Sequence, residues 1–273
     1  MSLLEETKRL LRSNRIVPNK LLGQNFMTDL SIFELLVAYA SVNHKDVVLD
    51  IGAGFGFLSN LLSDKCKTVV AVERDPNIVG VLCNQLMGSV NVKIVQGDIL
   101  QAELPVFNKV VSIPPYQISS RLLVWLLGRE FETAVLVLQK EFAKRLVASI
   151  GSDDYGWLSV LAYYRVETEL LDTVPKTVFY PQPQVDSVVV RVRPKSPPPF
   201  VVKNQQLLVK IARSLFTQRN RKVRNAIVPF LKGECQIEPA AMNELAKAIP
   251  VYDKRVRELA PDEFGALANA FAK

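Results

Sequence analysis

The stretch from Val47 to Glu73 limits the folds open to this chain more than any other. An apolar run, Val47, Val48 and Leu49, ends in Asp50. Gly52, Gly54 and Gly56 then alternate with Ala53 and Phe55, a helix-like pattern follows at Phe57, Leu58, Leu61 and Leu62, and a second β-branched run closes on Glu73. The order strand, glycine turn, helix, strand is a βαβ unit. Glycines at the carboxyl end of a strand let the backbone turn through positive φ and keep side chains out of the space between main chain and ligand. Open α/β sheets bind nucleotides at that edge.

The spacing narrows the ligand. A dinucleotide fingerprint is G-x-G-x-x-G; here the third glycine comes one residue early and Phe57 stands where that pattern needs Gly or Ala. Glu73 ends the second strand, where a carboxylate can accept from both ribose hydroxyls of an adenosine, a contact that disfavours a 2′-phosphate. A third strand-like run, Val92 to Val95, is followed by Gln96, Gly97 and Asp98, so another carboxylate reaches the same edge, placed to accept from an adenine amine. Singly, Asp50, Glu73 and Asp98 would be solvated loop acids. At the ends of three successive strands they read as a nucleotide site.

A second informative stretch follows the strand Lys109 to Ser112: Ile113-Pro114-Pro115-Tyr116. Proline lacks a backbone donor and fixes φ, so carbonyls in such a turn stay available as rigidly held acceptors. An aromatic immediately after can stack on a planar ligand. A nucleobase taken out of its stack needs both features. The plain alternative is that the prolines only end the strand and Tyr116 packs in the core.

The remaining chain continues an α/β rhythm. Helices are expected at 3–11, 30–39, 77–86, 119–127, 141–148 and 158–164, and strands at 134–139, 166–172 and 185–192. The Pro-rich residues 194–200 read as an extended linker, which divides the chain into a domain at 1–193, with 1–28 as an N-terminal segment, and a helical domain at 201–273. Gln24 and Asn25, in that segment, could cap a turn or close over a ligand. In the helical part Arg213, Arg219, Arg221, Lys222 and Arg224 cluster, and arginines can both bind phosphate and stack on bases. A solvated helix face would look the same. The formal net charge of +7 favours an anionic partner, nucleic acid before membrane. No apolar run approaches a membrane span. The three cysteines, Cys66, Cys83 and Cys235, lack CxxC spacing, and His44 is the single histidine, which speaks for a reducing cytoplasm and against a disulfide framework, a zinc site or histidine catalysis.

The residues together resemble the ribosomal RNA adenine dimethylases, most closely their archaeal and eukaryotic branch. The similarity runs from Pro18 to about Phe264. It takes in Leu22-Gly-Gln-Asn-Phe-Met27, Asp50-Ile-Gly-Ala-Gly54, Val72-Glu-Arg-Asp75, Gly97-Asp98, Pro115-Tyr-Gln-Ile-Ser-Ser120, Gln139-Lys-Glu141, Val185-Asp-Ser187 and Phe216 to Asn225. The resemblance implies an α/β fold: a Rossmann-like S-adenosylmethionine-dependent methyltransferase domain with a small C-terminal helical domain that grips RNA. It further implies a cofactor set of Gln24, Asn25, Met27, Gly52, Gly54, Glu73, Asp98 and Ile113, with Glu73 on the ribose and Asp98 on the adenine. The catalytic set becomes Ile113, Pro114, Pro115, Tyr116 and Phe179, with Tyr116 stacked on the target adenine and Phe179 near it. No metal is implied. The expected partner is small-subunit rRNA or a precursor of the small subunit, met by a monomer.

One position departs from the family. Its turn reads Asn-Leu-Pro-Tyr, and counting back from Tyr116 places Ile113 at the asparagine and Pro114 at the leucine. Adenine N6 is a poor nucleophile because its lone pair is delocalised into the ring; acceptors on its two hydrogens favour the geometry in which that pair points at the methyl. Isoleucine cannot accept, and loss of one preorganised contact of this kind costs roughly 3 kcal/mol in a transition state. Ser112 could supply the acceptor by a one-residue shift, the Pro114 carbonyl and Tyr116 could suffice, or the protein could bind rRNA as an assembly factor with little or no methyl transfer. An NAD-dependent dehydrogenase is disfavoured by the glycine spacing.

Overall fold

Runs of Val, Ile and Leu that are apolar on both faces suit the interior of a parallel sheet covered on both sides by helices. In the structure, a computed structural model that describes residues 1–234 and 249–272, such runs form the centre of a seven-stranded sheet. The strands are β2 (Val47–Ile51), β3 (Thr68–Glu73), β4 (Val92–Gln96), β5 (Lys109–Ser112), β6 (Thr133–Gln139), β7 (Val166–Val174) and β9 (Ser187–Pro194), in the order β4-β3-β2-β5-β6-β9-β7. The first five run parallel and β9 returns antiparallel to β6. A separate two-residue pairing joins β1 (Phe26–Met27) to β8 (Phe179–Tyr180).

The helices on this sheet have identifiable starts. Ser2 and Glu5 form a reciprocal cap for α1 (Leu3–Ser13), Asp29 caps α2 (Leu30–Tyr39), and Asp75 with Pro76 opens α4 (Pro76–Gln85), while α3 (Phe57–Ser63) follows Gly56 directly. Leu36, Leu62 and Leu82 close over Val48, Val69 and Ala71 to make the main core. At the amino-terminal edge of the sheet, Lys109 Nζ lies 2.9 Å from Asp46 Oδ2 and donates to the Ser41 carbonyl at 2.6 Å, both charges being almost fully buried. Asp46 also accepts from the Asn108 and Asn43 side chains. This ion pair orders the edge opposite the glycine turn.

The chain divides into two compact units, 1–143 with 168–194 and 144–167 with 195–273. The sequence placed the boundary near residue 193. The difference lies in the end of α6 (Lys140–Leu146) and in α7 (Trp157–Arg165), which belong with the helices beyond the prolines. Tyr155, Val160 and Tyr164 share a core with Leu208, Ile211 and Leu215 of α8 (Gln205–Phe216) and with Phe264 and Leu267 of α11 (Pro261–Phe271). The Tyr155 hydroxyl donates to the Leu259 carbonyl at 2.7 Å, and Phe216 stacks on Phe264. Two short helices, α9 (Val223–Ala226) and α10 (Val228–Glu234), complete the described part of this unit. Of the cysteines, Cys66 and Cys83 are free thiols and Cys235 lies outside the described residues. Among the described residues no helix is long and apolar enough to cross a membrane, and no group of three or more His, Cys, Asp or Glu side chains is placed to hold a metal ion.

Candidate cofactor and base site

From β2 the chain moves outward to β3 and β4 on one side, then returns to β5 on the other, so a crevice opens between the carboxyl ends of β2 and β5. A pocket occupies it. Its walls are the glycine turn after β2, Glu73 at the end of β3, Gly97 and Asp98 after β4, the Ile113–Tyr116 turn after β5, and the N-terminal segment 21–27.

Gly52, Gly54 and Gly56 all take positive φ, at 74°, 57° and 84°. A Cβ on Gly52 would lie 2.9 Å from Pro115 Cδ, so the two turns touch because the glycine has no side chain. Glu73 braces the same turn: its Oε2 accepts from Gly54 N at 3.0 Å, and its Oε1 accepts from the backbone N–H groups of Arg74 and Asp75 at 2.7 and 2.9 Å. Burial raises the Glu73 pKa against the pull of these three bonds. A carboxylate offers about four acceptor sites. With three filled from the backbone, Glu73 keeps room for one ribose hydroxyl rather than the two that the sequence suggests. Asp98 Oδ1 accepts from Leu100 N at 3.0 Å, and among the described residues its Oδ2 meets only Arg74, at 3.5 Å. Asp50 is almost wholly buried and accepts from the Ser59 hydroxyl at 2.7 Å; burial pushes its pKa up to about 7, the Ser59 bond opposing and the Glu73 charge adding.

In the N-terminal segment, Met27 and Asn25 line the pocket, and the Asn25 amide nitrogen donates to the Gly23 carbonyl at 3.2 Å. Gln24 also lines it, but both ends of its amide are engaged: Nε2 donates to Asp75 Oδ2 at 2.7 Å and Oε1 accepts from Asn19 N at 2.7 Å. These bonds tie the segment to the start of α4 and leave one N–H and one oxygen lone pair of the amide for a ligand.

The Ile113–Tyr116 turn is rigid. Ser112 accepts from Ile51 N at 3.1 Å and donates to Ile51 O at 2.6 Å while fully buried, so its hydroxyl cannot serve as the missing acceptor of a shifted turn. The Pro115 carbonyl accepts from Ile118 N and the Tyr116 carbonyl from the Ser119 hydroxyl. The Ile113 and Pro114 carbonyls have no hydrogen-bond donor among the described residues. Ile113 itself packs partly into the main core. The Tyr116 hydroxyl shares a 2.6 Å hydrogen bond with Ser187, and Phe179 meets the ring edge-on at 6.4 Å between centroids. Burial pushes the Tyr116 phenol up to about 12, so it stays neutral. Phe179 is 2% exposed; it sits in the core and props Tyr116 where the sequence would have it near the target base. Ser187 was in a stretch shared with the family, yet only the fold shows that it holds the Tyr116 ring.

In the helical unit the five basic residues differ from one another. Arg213 stacks over Trp157 at 4.2 Å; Arg219 donates to the carbonyls of Ser152 and Asp153; Lys222 and Arg224 both pair with Asp253. Arg221 is exposed, and its side chain has no partner among the described residues. Four of the five thus hold this unit together whatever else they touch.

A pocket at the switch point of a Rossmann-like sheet, with a Pro-Pro-Tyr turn opposite the glycine turn, is the arrangement of an S-adenosylmethionine-dependent methyltransferase. Comparison with known proteins is more particular. The family described as "Ribosomal RNA adenine dimethylase" matches residues 17–260, and the chain belongs to that family. It is 38% identical over 248 residues to the probable ribosomal RNA small subunit methyltransferase A of Methanosarcina barkeri, covering 90% of this chain and 85% of that one. The corresponding protein of Thermococcus kodakarensis is also 38% identical, over 90% of this chain and 87% of its own. Among solved structures, a dimethyladenosine transferase from Plasmodium falciparum shares the fold, with a TM-score of 0.77 and 23% identity over 89% of this chain and 95% of that one. The 23S rRNA methyltransferase ErmE is similar with a TM-score of 0.65 and 26% identity over 89% and 98%.

Proposed function

We propose that this protein methylates adenine N6 in small-subunit rRNA, placing two methyl groups on each of two adjacent adenosines of a hairpin loop near the 3′ end while the subunit is assembled. It would do so in the cytoplasm and as a monomer. The observation that carries the reading is the pair of undonated carbonyls, Ile113 and Pro114, in a proline-fixed turn beside Tyr116 and across from the glycine turn.

The pocket fits the methyl donor. Glu73 has one acceptor site left for a ribose hydroxyl and Asp98 one oxygen bound only loosely, while Gly52 leaves the backbone open where a Cβ could not fit. Bound there, S-adenosylmethionine supplies a methyl group on a sulfonium leaving group. The protein's part is alignment and electrostatics. Carbonyl acceptors on the exocyclic N–H groups localise the N6 lone pair, and the neutral Tyr116 ring, fixed by Ser187 and Phe179, gives the adenine a face to lie on. In the helical unit Arg221 is exposed with no side-chain partner among the described residues and can meet phosphate; Arg213 over Trp157, Arg219 on two carbonyls, and Lys222 and Arg224 in solvent-screened pairs all keep their charge and can add to the field.

Ile113 supports a second reading, a ribosome-assembly factor that binds rRNA and transfers methyl slowly or not at all, since Ser112 is not free to replace the asparagine. Incubation with labelled S-adenosylmethionine and unmethylated small subunits, followed by nucleoside separation, distinguishes the two. Dimethyladenosine is expected. Binding to the particle without mono- or dimethyladenosine, under conditions where a related enzyme yields both, overturns the catalytic reading.

A further inference from the structure

We propose that Leu21 is a fixed apolar wedge that enters the RNA loop as the target base leaves it. The inference rests on the rRNA-adenine reading above. Leu21 is 89% exposed and lines the pocket. Single exposed leucines are ordinary; Met87, Val90 and Val106 are as exposed, and none lines this pocket. What sets Leu21 apart is how firmly its one-turn helix, Lys20–Leu22, is held. The Asn19 side chain accepts from Leu21 N at 2.9 Å, Asn19 N donates to Gln24 Oε1, and Gln24 is tied in turn to Asp75. From the other side Gln117 Nε2 donates to the Lys20 carbonyl at 3.0 Å. Gly23 closes the turn at φ 68°, and a Cβ there would lie 1.8 Å from Gln117 Oε1. A surface segment tied at four points and presenting an exposed leucine to the pocket opening is preorganised for something that this chain does not itself supply.

The charges beside it indicate the partner. Lys20 and Arg121 are exposed, Arg74 is largely so, and the latter two line the same pocket. Cations of this kind attract a phosphate backbone. To reach the Ile113–Tyr116 turn, a base must leave its stack, which costs a few kcal/mol for the step that is opened. Proteins that open such steps often fill the gap with an apolar side chain, leucine included. A leucine held at the rim can fill the gap without itself being ordered first.

The test uses the full chain and a hairpin RNA carrying 2-aminopurine next to the target adenosine. Leu21→Ser and Leu21→Phe should keep the thermal midpoint of the parent, because the side chain is exposed. For Leu21→Ser the fluorescence rise on binding should be lost. Its kcat/KM ratio, hairpin over a linear oligonucleotide of the same sequence, should fall by about tenfold, as expected for removing one buried leucine contact. Leu21→Phe should retain both. An unchanged rise and ratio in Leu21→Ser overturns the proposal. So does an equal loss on hairpin and linear RNA, or a loss seen only on ribosomal particles, which would mark a protein contact. A Leu21-dependent fluorescence rise without methyl transfer would sustain the wedge while the catalytic reading fell.

Discussion

Replacing Glu73 by glutamine separates the two jobs of that residue. In the folded chain its Oε1 holds the Arg74 and Asp75 N–H groups and its Oε2 holds Gly54 N. An amide has one acceptor oxygen. If that oxygen keeps the two bonds of Oε1, the amide nitrogen faces the Gly54 N–H, donor against donor, inside a turn whose φ leaves little freedom. One charge-assisted bond is lost and a donor is left unpaired, a loss of about 2–3 kcal/mol, offset in part because a neutral amide is cheaper to bury than a carboxylate whose pKa burial has already raised. The net expectation is destabilisation by about 1–2 kcal/mol, or roughly 3–6 °C in thermal midpoint for a protein of this size. The acceptor site for the ribose hydroxyl becomes a donor, so affinity for S-adenosylhomocysteine should fall by about tenfold to a hundredfold. Thermal unfolding with and without S-adenosylhomocysteine, together with calorimetric titration, reads both. A Glu73→Gln protein of parental midpoint would refute the bracing of the glycine turn; parental affinity would refute the ribose contact even if the midpoint fell. Asp98→Asn is the control, since Asp98 has one loosely bound oxygen: affinity should drop with little change in midpoint.

For Asp50→Asn the observable is pH. The folded pKa is raised to about 7, so the stabilising protonated form is fully present below the unfolded value and is lost as pH rises toward 7; between about pH 5 and pH 8 the parent should lose about 3 kcal/mol relative to the variant. Urea midpoints at both ends of that range check it, and parallel profiles would count against a neutral Asp50. Ile113→Asn should raise single-turnover methylation by about tenfold to a hundredfold; an unchanged rate means the two carbonyls already suffice. Lys109→Met should destabilise by about 3–5 kcal/mol because it strands the buried Asp46 charge, whereas Lys109→Met combined with Asp46→Leu should recover much of the loss in the same urea titration.

The parts of the fold that were legible in the sequence are those where one local signal settles the structure. Val69, Val70 and Ala71 are wholly buried, and continuous apolar runs of this type have one home in an α/β domain. Glycines at 52, 54 and 56 at a strand's end point to positive φ, which all three take. What the sequence did not disclose depends on partners far along the chain. Gln24 is committed by Asp75, 51 residues on. Tyr116 is oriented by Ser187, 71 residues on, and Arg224 is paired with Asp253. The helix expected at 158–164 is present as Trp157–Arg165, but amphipathic periodicity gives the width of a buried face and is silent on which body will cover it. The proline run does coincide with a crossing between the units, after residue 194; what the sequence does not disclose is the earlier excursion of 144–167 into the second unit.

The relation between the two turns of the site follows from contacts made before any ligand arrives. Ser112, at the end of β5, grips the N–H and the carbonyl of Ile51, at the end of β2, so the residues that enter both turns are joined by a single buried hydroxyl. One residue further on, Gly52 lies against Pro115, and the prolines remove the torsional freedom by which the second turn could drift from the first. Methyl transfer needs the acceptor nitrogen within about 3–3.5 Å of the methyl carbon and in line with the leaving sulfur. A loop that closed on each ligand separately would have to fix that distance anew at every turnover. Here the spacing of the two turns is set by the β2–β5 pairing, with the tied segment around Leu21 on one side and the carboxylates after β3 and β4 on the other. A change at Ile113 therefore leaves the spacing of the two turns in place. On the proposed reading it would alter how strongly one N–H of the target is held, while the turns stay placed by Ser112, Gly52 and Pro115.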